Sequence, residues 1–221
     1  LLVATHVAGE IFRPRNFEPG PKTAGLQPNV PQHAKQRDHA AILRTHLDLL
    51  KSVDRSSLDL LVYAETSFPA IRTPEWDLAR VLAYEVSFDP ATGRPIRFRD
   101  GVLSEPGQVT LLGLAEQAPS STTGIPDGDE DGFSEWNVAI VVQAGASDGP
   151  RYRKRGLAPF GEYLPISKGH PAWEWTASRA RAALGHVPDL TPGDGPTFFK
   201  ARSAGGERSG AITICFEAVF P

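Results

Sequence analysis

Short apolar runs of strand length, set among a few stretches with helical spacing, constrain this chain more than any other feature. Lys22–Gln27 reads as a first strand, and Asp59–Ala64 as a strand buried on both faces. Val109–Ala115 and Glu135–Gln143 repeat the pattern. Asp148-Gly149 then turns the chain back into Arg151–Arg155, which predicts a β-hairpin. Thr197–Lys200 and Ala211–Phe216 complete the strands, with a loop at Ser203–Gly210 between them. From Gln36 to Val53, Ala40, Ile42, Leu43, Leu47, Leu49 and Leu50 fall near helical spacing, and Asp38 suits the helix start. Pro74, followed by Glu75, Trp76 and Asp77, opens a second helix running to Leu82. Trp173–Leu184 reads as a third. Strands alternating with helices predict an α/β layered fold.

The remaining segments are connections. Residues 1–21 mix Leu1-Leu2-Val3 with Pro14, Pro19, Gly20 and Pro21, and read as a lead-in or linker. Phe88-Asp-Pro-Ala-Thr-Gly-Arg-Pro95 is turn chemistry. Ala118–Gly132, with Asp127, Asp129, Glu130 and Asp131, reads as a solvated loop. The chain has 221 residues, 40% hydrophobic and 22% charged, enough for one large domain or two small ones. A net charge of -3 gives no reason to expect nucleic acid as a partner. The single Cys excludes an internal disulfide. No run approaches the roughly 20 apolar residues of a membrane-spanning helix, and no signal peptide is visible. The chain contains no Met and stops at Phe220-Pro221. The expectation is an excerpt of a longer protein, poorly stable and inactive by itself.

Three of the runs end in, or carry, a reactive residue: Glu65 after Leu60-Leu-Val-Tyr-Ala64, Lys154 after Arg151-Tyr-Arg153, and Cys215 after Ile212-Thr-Ile214. A thiol, a carboxylate and an ammonium are the parts of an acyl-transfer site. The thiol attacks a carbonyl, the carboxylate takes its proton, and the ammonium steadies the oxyanion. Each residue also has a plainer reading. Cys215 could be a small core residue of an apolar strand. Glu65 could cap the following turn with Thr66. Strand alternation places Thr213, Cys215 and Glu217 on one face, away from Ile212, Ile214 and Phe216. It sets Lys154 beside Tyr152 and away from Arg151, Arg153 and Arg155, a cationic edge of the kind that faces solvent or anionic lipid. Glu162 sits in the aromatic loop Pro159-Phe-Gly-Glu-Tyr-Leu-Pro165, where it could orient a neighbour. His33, His39 and His46 lack the spacing of a helical metal pair, and no cofactor motif is present.

Together the segments resemble the carbon–nitrogen hydrolase (nitrilase) superfamily, whose catalytic set is Glu, Lys and Cys in that chain order. Leu61-Val-Tyr-Ala-Glu-Thr-Ser-Phe-Pro69, Tyr152-Arg-Lys-Arg-Gly-Leu-Ala-Pro-Phe-Gly-Glu-Tyr-Leu-Pro165 and Ile214-Cys-Phe-Glu-Ala-Val-Phe-Pro221 look like the apolipoprotein N-acyltransferase branch. Gln27-Pro-Asn-Val-Pro-Gln32 looks like that branch's first strand and turn. The resemblance implies a four-layer αββα sandwich over residues 22–221, truncated at its C-terminal end. Residues 84–132 would be an insertion, and residues 1–21 a lead-in from a membrane region. It implies Glu65 as general base, Lys154 as oxyanion stabiliser and Cys215 as nucleophile, with Glu162 and Glu217 as supporting carboxylates. It implies no cofactor. The implied acyl donor is a phospholipid and the acceptor a diacylglyceryl apolipoprotein. The implied place is the extracytoplasmic side of the bacterial inner membrane.

The pattern departs from the family at Gln36, where Trp is usual, and at Phe216, where Tyr is usual. A soluble amidase or nitrilase-type hydrolase with water as acceptor, and a non-catalytic lipid- or protein-binding relative, are the rival readings.

Overall fold

The computed structural model describes residues 20–29, 39–65, 68–72, 85–88, 92–97, 99, 107–119, 132–143 and 149–219. Its framework is a six-stranded mixed sheet. Strand β1 (Thr23–Leu26) runs parallel to β2 (Leu60–Tyr63), and β2 parallel to the first part of β6 (Val109–Pro119). The second part of the same edge of β6 pairs with β3 (Phe68–Arg72). The other edge of β6 pairs along its whole length with β7 (Phe133–Gln143), antiparallel, and β7 pairs with β8 (Arg151–Arg153). The expected hairpin into Arg151 is therefore present. Two further antiparallel pairs stand apart from the sheet. One joins β4 (Glu85–Phe88) to β5 (Pro95–Arg97) across the turn residues, and the other joins β9 (Phe198–Ser203) to β10 (Gly206–Ala211).

Alternation along β7 explains the layers. Trp136, Val138, Ile140 and Val142 point to one face, where they pack with Leu112, Leu114 and Leu50. Leu50 belongs to helix α1 (His39–Lys51), which buries Ile42, His46 and Leu50 at steps of one turn. His46 stacks on Tyr63 of β2 at 5.4 Å between ring centroids, and its Nδ1–H donates to Ile42 O at 2.9 Å. That histidine is thus a helix-to-sheet packing residue. Ala139 and Val141 point to the opposite face, against Phe199 and Ala201 of β9 and against Ile212 and Ile214. The described residues form a helix, a sheet and a two-stranded ribbon in successive layers, with α2 (Trp173–Leu184) at one side on Leu164. No helix among them is long and apolar enough to cross a membrane.

Several expectations change in detail. Asp38 and the helix expected at Pro74–Leu82 lie outside the described residues, as does most of the loop after Pro119. β6 extends to Pro119 because β7 pairs with it residue for residue, to Phe133. Gly206–Gly210, read as loop, belongs to strand β10. Its small and polar residues carry no apolar alternation, and its register comes from β9 alone. A Cβ at Gly210 would lie 2.6 Å from the Phe199 ring, so a larger residue there would require that ring to shift. The expected strand Ala211–Phe216 ends at Ala211. Ile212 and Ile214 keep an alternating burial, but Cys215–Val219 is a 3-10 helix.

One close approach pins the edge of the sheet. Gly193 N–H donates to Lys154 O at 2.8 Å, and Thr191 N–H to Glu135 O at 2.7 Å. A Cβ on Gly193 would sit 2.2 Å from Arg153 O, which is backbone and cannot yield locally. Gly193→Ala is expected to cost about 1–3 kcal/mol through overpacking. A thermal melt of the variant beside the wild type tests this, and an unchanged midpoint would refute the close-approach argument.

Candidate active site

The site forms where the sheet changes partner. β2 leaves β6 after Val62↔Leu111, and β3 joins it at Phe68↔Leu114. Glu65 lies between these pairings, itself outside the ladder and 32% exposed. Two strands away, the β7 face that carries Ala139 and Val141 ends in a buried Asn137. Beyond it lies Lys154, immediately after β8. Its N–H donates to Asn137 O at 2.8 Å and its carbonyl accepts from Gly193 N–H. The side chain follows the Tyr152 face, as alternation predicts.

Lys154 is 1% exposed and carries its charge between two carboxylates. Its ammonium lies 2.8 Å from Glu162 Oε1 and 3.5 Å from Glu65 Oε1. Burial alone would lower its pKa. The hydrogen bond to Glu162 and the charges of Glu65, Glu162 and Cys215 outweigh that, so the ammonium is held above its ordinary value. Asn137 Nδ2 joins the group by donating to Glu65 Oε1, and lies 3.5 Å from Glu162 Oε1.

Glu162 is fixed by its own loop. Phe160 adopts a left-handed backbone, φ 63°. Phe160 N–H donates to Tyr163 O, and Glu162 N–H to Ala158 O. The Glu162 Oε2 accepts from Ala158 N–H at 2.8 Å. Both carboxylate oxygens are therefore occupied. The aromatic loop does hold a polar residue against a neighbour, as its composition suggested. The Phe160 ring is 59% exposed.

Cys215 begins the 3-10 helix with φ 57°, a left-handed backbone at a residue other than glycine, and is exposed. The turn is held from beneath by Glu217. Its Oε1 accepts from Tyr152 O–H, Arg155 N–H and Gly156 N–H at 2.7–2.8 Å, and its Oε2 accepts from Ile214 N–H at 2.9 Å. Burial raises the Glu217 pKa, but the hydrogen bonds from Gly156, Ile214, Tyr152 and Arg155 outweigh it, leaving the pKa below 4.5. Tyr152 is pushed up to about 12 by burial, then by its bond to Glu217. Glu217 thereby ties the cysteine turn to the segment that carries Lys154. It does so from within the helical turn, so the common strand face expected for Thr213, Cys215 and Glu217 is replaced by a hairpin-to-turn geometry.

The five sequence-derived residues thus fall into two connected groups: Glu65, Lys154 and Glu162 in direct contact, and Cys215 with Glu217 on the adjoining turn. Arg151 and Arg153 face the other way, as expected. They are not a free cationic edge, since both pair with the buried Glu116 of β6 at 2.9 and 3.0 Å. Arg153 also stacks over Trp136 at 4.0 Å. Sequence reasoning missed Asn137 and the Tyr152 hydroxyl. A polar residue interrupting an apolar strand face was the available signal for Asn137. A cavity of about 470 Å³ lies along the same loop, lined by Arg155, Leu157, Tyr163, Leu164 and Trp173. Among the described residues no group of His, Cys, Asp and Glu is placed to hold a metal ion.

No family-level sequence profile matches the chain. Individual proteins do. Apolipoprotein N-acyltransferase of Sinorhizobium fredii is 28% identical over 99% of this chain and 37% of its own length. The chain is similar to apolipoprotein N-acyltransferases. The enzyme of that name from Pseudomonas aeruginosa is 28% identical over 98% of the chain and 34% of its own length. That from Chlorobaculum tepidum is 24% identical over 100% and 40%. The chain spans about a third of the length of the curated relatives it matches.

The Glu217 carboxylate yields a pH-dependent expectation. A carboxylate whose folded pKa lies below its ordinary value stabilises the fold above pH 4.5 and loses that contribution as pH falls through the folded pKa. Glu217→Gln is expected to lower stability by on the order of 2 kcal/mol near neutrality. The gap between variant and wild type should close in acid. Melting curves recorded as a function of pH test this, and a gap that does not depend on pH would contradict it.

Proposed function

We propose that this chain is the catalytic part of an acyltransferase that carries an acyl group on Cys215 as a thioester. The observation that supports this best is the buried Lys154 ammonium, clamped by two glutamates, with the turn that carries Cys215 tied through Glu217 to the backbone just after it. Glu65 is the general base. Its Oε1 is taken by Asn137 and Lys154, while no hydrogen bond among the described residues occupies its Oε2. Glu162 has no such free oxygen, so it serves to anchor Lys154.

In the first half-reaction the Cys215 thiol gives its proton to Glu65 as its sulfur attacks the ester carbonyl of a glycerophospholipid. Lys154 stabilises the oxyanion. The carbon–oxygen bond breaks, the departing alcohol takes the proton from Glu65, and a thioester remains. In the second, the α-amino group of a diacylglyceryl-cysteine attacks the thioester. Glu65 removes a proton from that amine and returns it to the leaving thiolate. The left-handed turn at Cys215 resembles the sharp strand-to-helix turns that lift nucleophiles out of a sheet.

The wider reading rests on the similarity to named acyltransferases. It comprises a four-layer αββα sandwich over residues 22–221 with an insertion at 84–132, and a lead-in at residues 1–21. It also places the site on the extracytoplasmic side of the inner membrane, with a phospholipid donor and a lipoprotein acceptor.

Intact protein containing this chain, incubated with phospholipid and analysed by mass spectrometry, tests the reading. Wild type is expected to accumulate an acyl adduct on Cys215, and Cys215→Ala none. Glu65→Gln is expected to slow adduct formation by about 10²–10⁴, the usual contribution of a positioned base. Glu162→Gln is expected to act more weakly, through Lys154. An acyl adduct that persists in Cys215→Ala would end the proposal.

A further inference from the structure

We infer that Asn137 is the positioning residue of this site, setting which oxygen of Glu65 is presented to the thiol. The inference rests on the reading of Glu65 as the base. Four observations converge on it. Asn137 is 4% exposed and lies on the β7 face that is otherwise apolar at Ala139 and Val141. Packing alone would place a hydrocarbon there. Its Nδ2 donates to Glu65 Oε1 and lies 3.5 Å from Glu162 Oε1, so one neutral amide bridges both carboxylates. Its Oδ1 is buried with no hydrogen-bond partner. Its backbone carbonyl accepts from Lys154 N–H, which holds the two residues' backbones side by side.

The two carboxylates set the orientation of the amide. Turning the amide over would aim its carbonyl oxygen at two carboxylate oxygens, which repel it. The N–H₂ group is therefore locked toward the glutamates, and the oxygen goes without a donor. A buried carbonyl left unpaired destabilises the fold. The position accepts that loss while it holds Glu65.

The consequence is specific to Glu65. Glu162 is already fixed by Lys154 at 2.8 Å and by Ala158 N–H. Among the described residues, Glu65 has only the looser Lys154 contact at 3.5 Å besides Asn137. It also follows a break in the sheet, where no ladder restrains it. Without the amide its carboxylate is free to rotate, and Lys154 can draw it away from the thiol. With the amide, Oε1 is occupied on two sides and Oε2 alone is available to take a proton.

The test uses the intact protein and two readouts across about pH 5 to 9, the range in which a carboxylate base and a thiol exchange protons. One is the rate of acyl-adduct formation on Cys215, and the other is alkylation of Cys215 by iodoacetamide. Asn137→Ala is expected to slow both at least about tenfold, a part of what a positioned base supplies, with the donor KM unchanged. In Asn137→Asp the new carboxyl faces the Glu65 and Glu162 carboxylates, which with burial raise its pKa against the opposing pull of the Lys154 ammonium held by the same two oxygens. When protonated it donates to Glu65 as the amide does. The Asp-to-Ala rate ratio is therefore expected to climb at least about threefold as pH is lowered, a rescue that a role in packing alone would not produce. A wild-type rate and pH profile in Asn137→Ala, or an Asp-to-Ala ratio that is flat with pH, overturns the inference. If Asn137→Ala does not fold, Asn137→Ser replaces it in both comparisons under the same criteria. Glu65→Gln is run alongside. If it too retains wild-type rates, the assignment of the base has failed, and not the placement of Asn137.

Discussion

A charged ammonium in the interior is the constraint around which the rest of this structure is arranged. Lys154 is almost wholly removed from solvent. Removing one partner of such a buried pair typically costs about 3–5 kcal/mol, because the remaining charge is stranded. The fold therefore has to deliver carboxylates to it, and it draws them from separate places. Glu65 comes from a gap between two strands that share an edge of β6. Glu162 comes from a folded loop eight residues beyond the lysine. The lysine backbone is held on one side by β7 and on the other by the segment around Gly193. The ion group is thus a junction of sheet, loop and edge.

The two faces of the terminal strand divide the work. Tyr152 and Lys154 turn inward, to Glu217 and to the site. Arg151 and Arg153 turn the opposite way, to Glu116 and Trp136. A four-residue stretch therefore joins the two sides of the sheet through charge on one and chemistry on the other. Glu217 performs the equivalent task for the turn that carries Cys215. Its carboxylate gathers donors from both sides of the loop that follows Lys154, so the cysteine and the lysine are referenced to one rigid anchor.

The main strands and two of the helices were legible in the sequence because their apolar residues have the period of the element. The separation of Lys154 from the arginines followed from the same alternation. What could not be read were features set by partners instead of by local pattern. β10 has no apolar face, and exists because β9 supplies its register. The strand expected through Cys215 ends early because Glu217 bonds back to Ile214 N–H and closes a helical turn. The arginines look like a free cationic edge until the buried Glu116, far away in sequence, is placed against them. Asn137 was visible only as a polar interruption on an apolar face. Its meaning depends on two glutamates that no local window contains.

Cys215 occupies a backbone conformation that suits glycine better than any residue bearing a Cβ. Backbone comfort and the presence of a thiol therefore pull in opposite directions at this one position. Selection for a more robust fold would drift toward glycine and lose the sulfur.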